Sequence, residues 1–149
     1  MSAKILVVDD EPNIQRLLTV ALTNRGHTVL TASNGVEALG LVEVEKPDLI
    51  VLDVMMPQMT GHEAHDEIRR RGIQTPILFL SAAGTFEEQV SQMQDDLTDY
   101  LPKPFKPSEV ADHIEAMLDP KRREQVARER KQREAKLHHI VNIMHRDRD

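Results

Sequence analysis

The run DLIVL, residues 48–52, places four aliphatic side chains in succession with no polar residue between them. A strand with one face in water alternates apolar and polar positions, whereas a strand without alternation has to be covered on both faces, as in a parallel sheet. KILVV (4–8), HTVLT (27–31), PILFL (76–80) and the shorter TDYL (98–101) read as further strands. Between them lie apolar residues at helical spacing: Ile14, Leu17, Leu18, Ala21 and Leu22, then Val36, Leu39 and residues 42–44. Pro12 suits a first helical turn, Ser33 is a candidate cap, and Thr85 with Glu88 fits a capping box. Gly26 and Gly72 each follow an arginine and supply helix stops. Five strand-then-helix units in about 118 residues predict an α/β fold, a doubly wound five-stranded parallel sheet with helices on both faces.

Composition narrows the chemistry. With 40% hydrophobic residues but 3% aromatics the core is aliphatic, and the ring stacking used by single-stranded nucleic-acid binders is not expected. The absence of cysteine excludes disulfides, thiolate zinc sites and a cysteine nucleophile. No apolar run approaches the length of a membrane span and the N-terminal run is too short for a signal peptide, so a soluble cytoplasmic protein without a membrane partner is expected. The net charge of −6 conceals a division. Residues 1–119 carry 9 basic and 20 acidic side chains, net −11, and residues 120–149 carry 10 and 5, net +5. The expected organisation is a domain over 1–119 and a basic helical tail or linker helix over 120–149.

A doubly wound sheet collects its chemistry at the carboxyl ends of its strands. Asp9 and Asp10 end the first strand, Asp53 the third, Ser81 the fourth, and Lys103 follows the fifth. Three carboxylates with no histidine or cysteine beside them call for a hard cation, Mg²⁺. A lysine and a hydroxyl facing the same point suit a phosphoryl group, and no glycine-rich nucleotide loop is present. A carboxylate that accepts phosphoryl from another molecule fits these residues, and Asp53, the lone acid on the central strand, is the candidate.

VVDDEP, LDVMMPQMTG, LSAAG and DYLPKPF, in that order and spacing, resemble the receiver domain of two-component response regulators over about residues 3–118. The resemblance implies a flavodoxin-like strand order 2-1-3-4-5 and phosphorylation of Asp53 by a histidine kinase or phosphotransfer protein. It implies that Asp10 binds Mg²⁺ directly and Asp9 largely through water, with Asp53 and the Met55 carbonyl as further ligands. Lys103 would pair with the phosphoryl oxygens, Ser81 would donate a hydrogen bond to them, and Tyr100 would turn inward as Ser81 moves. The Lys103–Pro104 bond would be cis. Met55 and Ala83 stand where the family tunes dephosphorylation, and neither can orient a water by hydrogen bonding, which implies a long-lived phospho-form.

Where the family commonly reads G-A-D-D-Y, this chain has Asp96, Leu97, Thr98, Asp99 and Tyr100, so the region around the fourth helix and fifth strand is expected to sit differently. The arginines of the family's symmetric dimer face are matched by Gln89 and His113, which cannot form its ion pairs. His62 and His65 read as surface residues without a role. In the tail, Glu124 with Arg128 and Glu129 with Arg133 are spaced for helical ion pairs. A heptad count puts Arg123 and Arg130 in core positions, against a continuous coiled coil. Leu137, Ile140, Val141 and Met144 form an apolar stripe that should dock on a second copy, on the chain's own domain or on a further domain. A homodimer would use this helix or the face of the fourth and fifth predicted helices. Nucleic acid is not an expected partner, because glutamates interrupt the basic tail. Two other functions compete: a Mg²⁺-dependent aspartyl-phosphate hydrolase of the haloacid-dehalogenase kind, which would need a second acid at Met55, and a phosphorylation-independent adaptor.

Overall fold

Five strands of five residues each, β1 (Lys4–Val8), β2 (Thr28–Ala32), β3 (Leu49–Asp53), β4 (Ile77–Ser81) and β5 (Thr98–Pro102), pair in parallel in the order β2-β1-β3-β4-β5. They belong to a computed structural model that describes residues 2–81 and 97–146. Helices α1 (Pro12–Asn24), α2 (Gly35–Glu45), α3 (Gly61–Arg70) and α4 (Pro107–Leu118) surround the sheet, and α5 (Pro120–Arg146) runs on from α4. The capping box expected at Thr85–Glu88 lies outside the described residues.

The two-residue period of a strand sorts the core into two layers. Leu6, Val8, Ile50, Leu52, Ile77 and Phe79 face α2 and α3, where Ala38, Leu39, Val42, Ala64 and Ile68 meet them. Ile5, Val7, Leu49, Val51, Leu78 and Leu80 face α1 and α4, against Leu18, Leu22, Val110 and Ile114. Every residue of β3 and β4 is buried, which is why DLIVL and PILFL carry no polar alternation.

Strands two to four begin and end one residue later than the apolar runs suggest, and in β3 and β4 the ladder takes in a polar end: Asp53 lies opposite Leu80, and Ser81 opposite Pro102. The cap of α2 is Asn34 rather than Ser33; its side chain accepts the Glu37 amide at 2.8 Å. Gly26 (φ 90°) and Gly72 (φ 79°) adopt the left-handed conformation expected of helix stops. The histidines of α3 are a correction. His65 is buried, with Nε2 3.0 Å from the Thr98 hydroxyl, and half-buried His62 stacks on Phe79 at 4.9 Å between ring centroids. They fall on the inward stripe of α3 with Gly61, Ala64 and Ile68, where flat rings fill the space beside Phe79.

The tail is one helix opened by Pro120, with the Asp119 carboxylate accepting the Lys121 amide at 2.9 Å. Arg128 pairs with Glu124 at 3.2 Å as its spacing suggests, but Arg133 turns away from Glu129 to Asp99 of β5, at 3.0 Å.

Ile50 sits fully buried at the centre of the sheet. Ile50→Ala is expected to destabilise the fold by about 2–5 kcal/mol, the range for truncating a core aliphatic residue, read as a lower urea midpoint with an unchanged slope.

Candidate functional site

β1 and β3 are neighbours with Val8 opposite Leu52, so the next residues of both strands, Asp9 and Asp53, emerge side by side. Asp9, Asp10 and Asp53 each bring a carboxylate oxygen within 4.8 Å of the others. Asp9 is 1% and Asp53 3% exposed, while Asp10 is open to solvent. Lys103 reaches in from beyond β5, its Nζ 3.3 Å from Asp53 Oδ1. That oxygen also accepts the Met55 amide at 3.2 Å.

A frame of hydrogen bonds surrounds these groups. The Asp9 carbonyl accepts Gln15 Nε2 at 2.6 Å, and the same amide group reaches the Ala32 carbonyl at 3.2 Å, tying the ends of β1 and β2 together. Asp9 Oδ1 accepts the Glu11 amide at 2.9 Å. Thr60 and Glu63 form a reciprocal capping box at the start of α3, and the Gly61 amide donates to the Val54 carbonyl at 3.0 Å. A Cβ on Gly61 would collide with the Asp53 carbonyl oxygen, so glycine is what allows α3 to start against the strand that carries Asp53.

Crowding three acids has an electrostatic cost. Burial, with Asp53 and Asp10 adding to it against the Glu11 amide and Lys103, pushes the Asp9 carboxyl up to about 6. Burial also raises Asp53, opposed by Lys103 and the Met55 amide. Asp9 Oδ2 is buried with no hydrogen-bond partner among the described residues. A buried carboxylate oxygen without a donor, facing two further carboxylates, fits a hard divalent cation with oxygen ligands. Mg²⁺ bound there would neutralise the cluster and polarise a phosphoryl group. Met55 follows two residues after Asp53, its side chain 70% exposed at the mouth of the site.

Ser81 ends β4, buried, with its carbonyl accepting the Lys103 amide at 2.7 Å. Tyr100 lies opposite Phe79 on β5, ring centroids 5.1 Å apart, and Ser81 and Tyr100 line one cavity of 320 Å³. The Lys103–Pro104 bond is cis. The residues named from sequence thus fall into two adjoining groups, Asp9, Asp10, Asp53 and Lys103 in one, Ser81 and Tyr100 in the other. Sequence reasoning passed over Gln15, Thr60 and Gly61. T-x-x-E at 60–63 is a legible cap signal, but nothing in the sequence marks the reach of Gln15 across two strand ends.

Comparison with known proteins gives a consistent picture. The family model described as response regulator receiver domain matches residues 5–115. The alkaline phosphatase synthesis transcriptional regulatory protein PhoP of Bacillus subtilis is 45% identical over 127 residues, covering 85% of this chain and 52% of the relative. The response regulator MprA of Mycobacterium ulcerans is 42% identical, covering 79% and 51%. The chain therefore spans about half the length of these curated relatives. Among solved structures, the receiver domain of the Francisella response regulator 1452 superposes with a TM-score of 0.73 at 31% identity, covering 78% of this chain and 96% of that one. The Vibrio cholerae chemotaxis protein CheY4 gives 0.71 at 33% identity, covering 77% and 98%.

The electrostatics set a pH dependence. Below 3.8 the Asp9 carboxyl is protonated in both folded and unfolded chains; as pH rises to about 6 the unfolded chain ionises first, so the folded state loses stability. The loss attributable to Asp9 is at most about 3 kcal/mol. Without divalent metal, Asp9→Asn is expected to be more stable than the parent at pH 7 and equal to it near pH 4. Urea titrations at both values check this, and a stability difference that ignores pH would contradict it.

Proposed function

The chain belongs to the response regulator receiver family, a family of signalling domains, and from that premise we propose that Asp53 accepts a phosphoryl group from a histidine kinase or phosphotransfer protein in a Mg²⁺-dependent reaction. The observation that carries this reading is the Asp53 carboxylate at the end of the central strand, with Lys103 Nζ at 3.3 Å and the Asp9 and Asp10 carboxylates within 4.8 Å. In the transfer an Asp53 oxygen forms a bond to phosphorus while the bond from phosphorus to the donor nitrogen breaks, and the electron pair leaves with that nitrogen. Asp9, Asp10 and Asp53 would hold the cation, together with the Met55 carbonyl. Lys103, now against the Asp53 carboxylate, would take the added phosphoryl charge, and the Ser81 hydroxyl would donate to it.

Phosphorylation replaces one negative charge by about two and adds strong acceptors, enough to draw a hydroxyl across a pocket. Ser81 and Tyr100 share a cavity wall, so movement of one opens space for the other. Together they form the two-state element through which the phosphoryl group would control a partner or the C-terminal helix.

A hydrolase of the haloacid-dehalogenase kind needs a second acid two residues beyond the nucleophile, and that position is Met55, an exposed thioether. A phosphorylation-independent adaptor would have no use for a buried, destabilising acid cluster. The Bacillus subtilis relative PhoP is named as a transcriptional regulatory protein, which lends no support to the expectation that nucleic acid is not a partner.

Incubation with acetyl phosphate and Mg²⁺ is expected to add one phosphoryl group by intact mass. Asp53→Asn and chelation should each abolish the adduct, and Lys103→Ala should slow its formation at least tenfold. Release of phosphate with many turnovers would favour the hydrolase instead, and no adduct would favour the adaptor. With the Met55 thioether at the site mouth, and Ala83 outside the described residues, the adduct should persist for minutes or longer at neutral pH. Decay within seconds would show that another group orients the attacking water.

A further inference from the structure

The tail helix α5 runs on from α4 and meets the edge strand of the sheet, β5, at Asp99. Arg133 donates to Asp99 Oδ1 at 3.0 Å, and His113 of α4 faces Asp99 Oδ2 at 2.9 Å. The Tyr100 amide donates to Asp99 as well, at 2.8 Å. Asp99 is 2% exposed, so one buried carboxylate joins strand, α4 and α5. Burial acts to raise its carboxyl, yet His113, the Tyr100 amide and Arg133 together hold it below the ordinary value, so the ion is paired at neutral pH.

One residue along, Arg133, Lys136, Leu137 and Ile140 close the cavity whose opposite walls are Ser81, Tyr100 and Pro102. Leu137 and Ile140 of the apolar stripe thus face Ser81 and Tyr100 across this cavity. Charge favours this seat over solvent, with net −11 on residues 1–119 and +5 on residues 120–149. The seat is shallow. Ile140 stays 41% exposed, Leu137 is half-buried, and a 320 Å³ void remains beneath them.

We propose that α5 is a cover on the chain's own Ser81–Tyr100 surface, latched by Arg133 on Asp99, which phosphorylation of Asp53 releases. This rests on the phosphoacceptor reading above and selects, from the two targets named there, the C-terminal helix. A phosphoryl group draws Ser81 toward Asp53, and Tyr100 follows into the space it leaves. Both walls then withdraw from beneath Leu137 and Ile140. Among the described residues, the Arg133–Asp99 ion pair then ties the helix to β5, its arginine side chain 49% exposed. Once the helix is released, Leu137, Ile140, Val141 and Met144 form an open stripe for a partner or a second copy. Linkage requires the reverse effect too: a chain with the latch broken binds the phosphoryl group more favourably.

The chain has no cysteine, so spin labels can be placed cleanly on the full-length protein at Asn24→Cys in α1 and His139→Cys in α5, both exposed positions. Pulsed electron resonance should give one narrow distance that lengthens and broadens with Mg²⁺ and beryllofluoride, with fluorine NMR reporting whether the mimic is bound. Arg133→Ala should show the broad distribution without the mimic and bind beryllofluoride several-fold more tightly. Arg128→Ala, which loses only the pair with Glu124 at 3.2 Å, should behave as the parent. A bound mimic with an unchanged distance, or an Arg133→Ala chain with parental distance and affinity, overturns the release. Absence of any bound fluoride signal overturns the phosphoacceptor reading itself, and the release falls with it.

Discussion

The repulsion among Asp9, Asp10 and Asp53 is the constraint around which the rest of the structure is arranged. Parallel strands all end at one edge, so acids that close neighbouring strands are forced together whatever their charge. Two of these carboxylates are nearly out of water, where ionisation is costly. The aliphatic layers on both faces, the amide of Gln15 across two strand ends, and Gly61 against the Asp53 carbonyl supply the rigidity that keeps the acids from moving apart. A cluster that weakens the fold while being held this firmly fits the proposed binding of a cation and acceptance of a phosphoryl group. Lys103 alone offsets only part of the charge, since Asp53 stays above the ordinary carboxylate value despite its presence.

Much of this was legible because it depends on period and order. Uninterrupted aliphatic runs signal strands covered on both faces, and five of them alternating with helical spacing leave few topologies open. The errors have local causes. Strand ends moved by one residue because Asp53 and Ser81, polar by type, still pair in the ladder. Ser33 and Asn34 are both competent caps, and which one is used is decided by where the Glu37 amide points. Lys46 ends α2 in a left-handed conformation with no glycine to announce it. Buried His65 and half-buried His62 share the inward face of Ala64 and Ile68, so position outweighs residue type on α3.

The segment that departs from the family pattern tells the opposite story. Leu97 stands where a small residue is common, yet its carbonyl accepts the Ile77 amide at 2.9 Å and β5 pairs with β4 along its full length. Leucine at this position leaves the strand undisturbed. His113, matched to an arginine position of the family's dimer face, is occupied within the chain by Asp99. Asp99 and Tyr100 are adjacent and so point to opposite faces of β5, one toward α4, the other toward Phe79. The carboxylate that Arg133 meets and the ring proposed to respond to phosphorylation of Asp53 are therefore joined through a single peptide unit.

That arrangement also limits how firmly α5 can be seated. A ligand or modification shifts a two-state equilibrium only by the difference in its interaction with the two states, and coupling between sites is typically about 1–3 kcal/mol. A helix buried along a full apolar face would be held by several times that and no phosphoryl group could move it. Among the described residues the seat consists of two partly exposed aliphatic side chains over a cavity and a half-exposed arginine on a buried carboxylate, contacts of the size that one phosphorylation can overcome. Under the proposed release, loose packing between the tail and the Ser81–Tyr100 pair is a requirement rather than a defect of the fold. A tighter core at that seam would give a more stable protein with a helix fixed in one place.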